Sequence, residues 1–273
     1  KDDIAIDDVS FVEAPSCTNV SGLTTSNVTP TSVDVAWTET GTATDYNVEV
    51  YEAGADTTTA TAVYTEAVVG ATSTTVTGLT TYSSYDIYVQ ADCGFTGTSD
   101  FIMTSIYIGH CTPTTTSTAV VYINDVTTTG GTANISNITS GFSNGGYGDF
   151  KDQSITGLYG SQSFVINATY DGQYGGRSHY WVDWNNDLVF DNTAGSSEFI
   201  GTSAAGLTAT TTVTIPAGQA AGDYVLRVRL FNSVTDAADA CSNISAGETE
   251  DYTISVIETP SCVDVSNITV TSF

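Results

Sequence analysis

Positive charge is the scarcest property of this chain. Its 273 residues hold five Lys or Arg against 31 Asp or Glu, a formal net charge of −26. The five are Lys1, Lys151, Arg177, Arg227 and Arg229, spread over the whole length. Phosphate backbones are held by clustered Lys and Arg, so a nucleic-acid partner is excluded, and an anionic membrane surface is disfavoured on the same ground. No run approaches the ~18 consecutive apolar residues of a membrane helix, so no membrane insertion is expected. The chain opens on Lys1-Asp2-Asp3 with neither an initiator Met nor an apolar signal core, and a processed or trimmed soluble piece is expected. Methionine occurs once, and strong helix formers hardly come in series. A period of 3.6 never holds for three turns, which leaves a helical fold without support. Cys-x-x-Cys pairs, histidine clusters, Gly-x-Ser-x-Gly and His-Glu-x-x-His are all missing, so zinc-ribbon, redox, serine-hydrolase and zincin chemistry lack their spacing. Paired carboxylates are too common in so acidic a chain to mark a glycosidase. No catalytic residue is assigned, and no enzyme is expected.

What the chain does contain points to strands. Hydrophobic residues make up 40% and aromatics 10%, enough to build packed cores despite the charge. Thr, Val, Ile and Tyr are abundant and 25 Gly punctuate the sequence, as in short strands joined by tight turns. Ser32-Val33-Asp34-Val35-Ala36-Trp37 and Tyr46-Asn47-Val48-Glu49-Val50-Tyr51 alternate polar and apolar residues at period two. The expected class is all-β, in tandem β-sandwich domains, two of them on length.

The cysteines draw the domain boundaries. They are Cys17, Cys93, Cys111, Cys241 and Cys262. Glu13-Ala14-Pro15-Ser16-Cys17-Thr18-Asn19-Val20 recurs as Glu258-Thr259-Pro260-Ser261-Cys262-Val263-Asp264-Val265, so one module begins twice. Cys262 is then left unpaired by the end at Phe273, while Cys17 pairs with Cys93 and Cys111 with Cys241. Such bonds close long loops and stabilise each domain by about 4 to 5 kcal/mol in the chain-entropy account. They persist in an oxidising, exported setting. The expected organisation is a last strand of a preceding domain at 1–14, a domain at 15–107, a larger one at 108–257, and the start of a further module at 258–273.

In the first module a strand with a core Trp37 is followed by Val76-Thr77-Gly78-Leu79-Thr80-Thr81-Tyr82-Ser83-Ser84-Tyr85-Asp86-Ile87-Tyr88-Val89. The Leu79 to Tyr85 spacing, with Ile87 and Val89 alternating after it, resembles the fibronectin type III domain, which implies a β-sandwich with Tyr85 at its tyrosine corner. Thr81 stands where the family usually has Pro. The middle module carries Gly146-Tyr147-Gly148-Asp149-Phe150, Tyr180-Trp181-Val182-Asp183-Trp184-Asn185-Asn186-Asp187, Ile215-Pro216-Ala217-Gly218 before Arg227-Val228-Arg229, and Gly247-Glu248-Thr249-Glu250-Asp251-Tyr252, in that order. This resembles the GEVED domain, with Thr249 in place of the Val of the name. The resemblance implies a β-sandwich accessory domain of large secreted or cell-surface proteins of the Bacteroidota, typically type IX secretion cargo. At the N-terminus, Ile4-Ala5-Ile6-Asp7-Asp8-Val9-Ser10-Phe11 resembles the closing strand of a MAM-like or jelly-roll domain.

Three candidate sites follow. Arg227 and Arg229 are two apart, as are Glu248 and Glu250, so each pair projects from one sheet face and the two pairs are expected to meet as structural ion pairs. Asp183, Asn185, Asp187 and Asp191, with the Val189 carbonyl and Glu198, supply alternating oxygens of the kind that wrap Ca2+, although Leu188 replaces the usual glycine. The alternative at that loop is a hairpin turn with Asx caps. Tyr159, Tyr170, Tyr174 and Trp181 offer aromatic faces on which a glycan could stack, against the alternative of packing residues. The functional expectation is a non-catalytic adhesion or spacer segment of a long secreted or cell-surface protein, stiffened by calcium. Its partners would be neighbouring domains of the same chain and a polysaccharide or cell-surface glycan. The competing expectation is a carbohydrate-binding accessory region of a secreted polysaccharide hydrolase or protease.

Overall fold

The computed structural model describes residues 17–116, 121–172, 175–193, 195–231 and 239–260. The expectations for the strand at 1–14, for Tyr174 and for Cys262 with the module beginning there lie outside these residues. The chain divides into two compact units between His110 and Cys111. Both are built from strands, and among the described residues no helix is long and apolar enough to cross a membrane.

The first unit is a sandwich of two antiparallel sheets. One holds β1 (Ser21–Ser26), β2 (Ser32–Thr38) and β5 (Ser73–Thr77) in the order β1-β2-β5. The other is ordered β4-β3-β6-β7, from β3 (Asp45–Glu52), β4 (Tyr64–Val69), β6 (Ser83–Asp92) and β7 (Ile102–Ile108). Period-two alternation sends Val33, Val35 and Trp37 of β2, Tyr46, Val48 and Val50 of β3, and Tyr85, Ile87 and Val89 of β6 into one core. Trp37 is 5% exposed and packs edge-on to Tyr46. The Tyr85 hydroxyl accepts a hydrogen bond from the Thr80 amide at 2.9 Å, which is the tyrosine corner. Cys17 and Cys93 are joined by a disulfide.

The second unit has the same two-layer plan with longer strands. A four-stranded sheet, β14-β11-β8-β9, is formed by β8 (Val121–Thr129), β9 (Ser136–Ile138), β11 (Ser163–Gly172) and β14 (Thr208–Thr214). Facing it is a five-stranded sheet, β10-β16-β15-β12-β13. Its strands are β10 (Tyr147–Leu158), β12 (Arg177–Val182), β13 (Phe199–Thr202), β15 (Gly222–Phe231) and β16 (Gly247–Val256). Ile123, Val126, Phe164, Ile166, Tyr180, Leu226, Val228, Tyr252 and Ile254 fill the space between the sheets. A second apolar cluster, of Trp181, Phe190, Val225, Phe231 and Ala240, lies apart from that core. Both faces of β15 and β16 are therefore covered, and eight successive residues of β15 are buried. Cys111 and Cys241 are joined by a disulfide.

Candidate functional site

The chemistry of the second unit concentrates on β12, β15 and β16. Trp181 pairs with Arg227 and His179 with Arg229 across the antiparallel β12–β15 ladder, so Arg177, His179, Trp181, Arg227 and Arg229 share one sheet face. Three of the five basic residues of the chain are thus on a single face. His179 stacks on Trp181 and Phe199 and meets Phe231 edge-on. Its Nδ1 lies 3.0 Å from Thr202 Oγ1. Burial, and then the positive charges of Arg177 and Arg229, push its pKa down to about 4, so it is a neutral packing residue at pH 7. Trp181 is 0% exposed, which corrects the expectation of a glycan platform there: a ring closed in by His179 and Phe199 has no free face for a sugar. Tyr159 is half-buried, and Tyr170 is buried with its hydroxyl 2.5 Å from Ser178 Oγ.

The expected ion pairs are also corrected. In the β15–β16 register Arg227 stands opposite Asp251 and Arg229 opposite Thr249, while Glu250 faces Val228 and Glu248 faces Leu230. Arginines and glutamates each share a face, as their two-residue spacing requires, but the faces are opposite ones. Arg227 grips Asp251 with two parallel bonds, Nε to Oδ1 and Nη2 to Oδ2, both at 2.7 Å with both side chains fully buried. Burial opposes the charged guanidinium and the Asp251 carboxylate outweighs it, so Arg227 holds its proton more tightly than a free arginine. Tyr147 adds a hydrogen bond to Asp251 Oδ2 at 2.7 Å. Arg229 donates to the carbonyls of Asp239 and Ser242 and lies over the Phe231 ring.

The glutamates point instead between the sheets and clamp them. Glu248 accepts the Ile123 amide of β8 at 2.9 Å and the Ser143 amide at 2.6 Å. Glu250 accepts from the Tyr252 hydroxyl at 2.7 Å, and Tyr252 in turn accepts from Asn137 at 2.8 Å. Burial, and then the charge of Glu248, push Glu250 up to about 8; burial raises Glu248 as well. Asp251 and Tyr147 were missed in the sequence. The loop joining β15 to β16 is too long for strand register to be counted across it, so the parity that selects Asp251 had no sequence signal.

The acidic loop 183–198 leaves β12 and crosses to β13. Asp183 is fully buried, taking the Asp187 amide on Oδ1 at 3.3 Å and the Leu188 amide on Oδ2 at 3.0 Å. Asn185 Oδ1 accepts the Asp187 amide, Asp187 Oδ1 the Val189 amide and Asp191 Oδ1 the Thr193 amide, a series of Asx turns. Glu198 is buried and accepts the Asp191 amide at 2.9 Å. Its pKa is raised by burial first, then by the charges of Asp183 and Asp187. Leu188 has φ 71°, the left-handed turn that glycine would adopt freely. The Val189 side chain is exposed. As the side chains stand, no group of three or more His, Cys, Asp or Glu among the described residues is placed to hold a metal ion, since the loop amides engage each carboxylate. The donor set itself is all oxygen, with two buried carboxylates, which is the chemistry a hard cation takes. Beside the loop opens a cleft of about 440 Å3 lined by Trp184, Asn185, Asp191, Ser196, Glu198 and Gln219.

Comparison with known proteins agrees with this architecture. Residues 16–103 match the fibronectin type III domain family and residues 177–255 the GEVED domain family. Similar solved structures include a human collagen α-1(XX) fn3 domain, 20% identical over 36% of this chain and 90% of that one with a TM-score of 0.30. A second fn3 domain of human collagen XX is 19% identical over 36% and 100% with a TM-score of 0.28, and a structure described as a myokine is 15% identical over 35% and 98% with a TM-score of 0.29. No curated protein matches the chain. With a tyrosine corner and disulfide in one sandwich and the Gly247–Tyr252 signature on a central strand of the next, this chain carries a fibronectin type III domain followed by a GEVED domain.

Proposed function

We propose that the chain is a non-catalytic adhesion and spacer segment of a long protein working outside the cell, and that the 183–198 loop of its GEVED domain takes Ca2+. Both domain types and both disulfides fit an extracellular multidomain protein. The observation that carries the calcium reading is Glu198, a buried carboxyl pressed by the charges of Asp183 and Asp187 within one loop. A divalent cation reverses the sign of that repulsion. Asp183, Asn185, Asp187, Asp191 and Glu198 with the Val189 carbonyl would hold it, each of the five side chains giving up or sharing a lone pair now turned to a loop amide. Binding to the folded state alone adds RT ln(1 + [L]/Kd), about 2.7 kcal/mol at a hundredfold excess over Kd. Calorimetry with chelator and with millimolar calcium tests the idea. The transition of the second unit should move and that of the first should not, and Asp187→Ala should abolish the difference. Superimposable scans would leave an ordinary acidic turn.

The cleft beside the loop, lined by the polar groups of Asn185, Ser196, Glu198 and Gln219, favours one second reading, a carbohydrate-binding accessory role. Retardation in polysaccharide gels separates the two: selective retention by one polymer supports that role, and uniform mobility supports the spacer.

A further inference from the structure

The disulfide of the second unit has an arginine built against it. Arg227 Nη1 lies 2.9 Å from Cys111 Sγ and donates to the Ala240 carbonyl at 2.8 Å, while Nη2 donates to the Cys111 carbonyl at 2.7 Å. One side chain therefore grips both segments that the disulfide joins, 130 residues apart, without using the S–S bond. Asp251 occupies the Nε edge and leaves Nη1 aimed at the sulfur and the Ala240 carbonyl. Further bonds align the same two segments: Thr114 N to Asn243 Oδ1 at 2.8 Å, Thr116 N to Ile244 O at 3.1 Å and Ile244 N to Thr114 O at 3.0 Å. The other sulfur has different surroundings. The Asp239 carboxylate caps the amides of Cys241 and Ser242, at 2.8 and 3.1 Å, and sets a negative charge beside Cys241, with the Arg229 guanidinium on the Asp239 and Ser242 carbonyls as the opposing charge.

We infer that Arg227 assembles and polarises this cysteine pair, so that in the reduced protein the second unit is already folded and Cys111 is its attacking thiolate while Cys241 is the resolving thiol. A guanidinium beside a sulfur favours the thiolate, and a carboxylate beside one disfavours it. With a small-molecule disulfide such as oxidised glutathione, the Cys111 thiolate attacks one glutathione sulfur, forms a mixed disulfide and expels one glutathione thiolate. Cys241 then loses its proton to solvent and attacks Cys111 Sγ, expelling the second. Two electrons pass from the cysteine pair to glutathione, giving one protein disulfide and two reduced glutathiones. The first unit is the internal control, because its described residues, 17–110, include no Lys or Arg.

The test is a thiolate titration at 240 nm of a Cys241→Ser/Cys262→Ser variant with its Cys17–Cys93 bond intact, so that Cys111 is the one free thiol. The expected midpoint lies at least one and a half pH units below the ~8.5 of an ordinary thiol. A midpoint at or above the ordinary value overturns the inference. Arg227→Met in that background should return the midpoint to the ordinary value or above it, and an unchanged midpoint also overturns the inference. If Arg227→Met loses its circular dichroism, the parent titration decides alone. Reduced wild-type protein, moreover, should keep the near-ultraviolet signal of Trp181 and Trp184, and its loss on reduction would refute assembly ahead of the bond.

Discussion

At the scale of single residues, the second unit places charge where water cannot reach it and satisfies it with named partners. Arg227 and Asp251 are both fully buried, and a pair of this kind costs more to break than it returns when made. Asp251→Ala should destabilise the second unit by about 3 to 5 kcal/mol, because it strands a buried guanidinium; urea unfolding followed by tryptophan fluorescence measures this. Glu250 makes the complementary prediction with pH. Its folded value of about 8 stands above the ~4.3 of an unfolded glutamate, so the folded state binds this proton more tightly. Its contribution to stability is complete below about pH 4 and drains away up to about pH 8, at most about 1.4 kcal/mol per pH unit. Glu250→Gln keeps a neutral side chain and should flatten that decline, making the variant more stable than the parent at pH 8. Parallel stability curves between pH 5 and 8 would show that Glu250 is ionised throughout.

Elements explain which of these features could be read in advance. The strands of the first unit were legible because each has one wet face, so Ser32–Trp37 and Tyr46–Tyr51 alternate in the sequence as they do in the sandwich. The tyrosine corner was legible through the fibronectin type III resemblance that the Leu79 to Tyr85 spacing carries, and the partners the structure gives it, Thr80 and Tyr85, are five residues apart. Strands β15 and β16 are covered on both faces, and there alternation ceases to report direction. Their two-residue spacings were read correctly, yet which face met which depended on register, and Asp251 rather than Glu250 came to face Arg227. Trp181 misled for the same reason, since a second apolar layer hides it. Gly247, the first residue of the GEVED signature, has a physical role that spacing does not reveal. It has φ 136°, and a Cβ there would fall 1.9 Å from the Leu230 carbonyl oxygen of β15. The obstacle is backbone, which cannot swing aside as a side chain does. Gly247→Ala should therefore cost about 2 kcal/mol or more, as strain at a special φ and overpacking do, and lower the melting temperature of the second unit. An unchanged melting temperature would mean that the two strands separate there without penalty.

Across the whole molecule the excess of negative charge is itself a force. The formal charge of −26 sits on a chain in which residues 17–110 hold ten carboxylates and no Lys or Arg. Self-repulsion of this kind opposes compaction and is screened over a Debye length that falls from about 30 Å at 0.01 M salt to about 8 Å at 0.15 M. Sodium chloride should accordingly raise the melting temperatures of both units, with most of the gain below about 0.15 M. The Ca2+ proposed for the 183–198 loop would act differently, by mass action on one unit. At a fixed 0.15 M sodium chloride, where general screening is largely spent, millimolar calcium should move the second transition alone, and magnesium, which resists dehydration, should move it much less. If calcium and magnesium shift both transitions equally, divalent ions are acting only as counterions to a polyanion. If calcium shifts just the second transition and Asp187→Ala abolishes that shift, the effect belongs to the loop that Asp183 and Glu198 anchor.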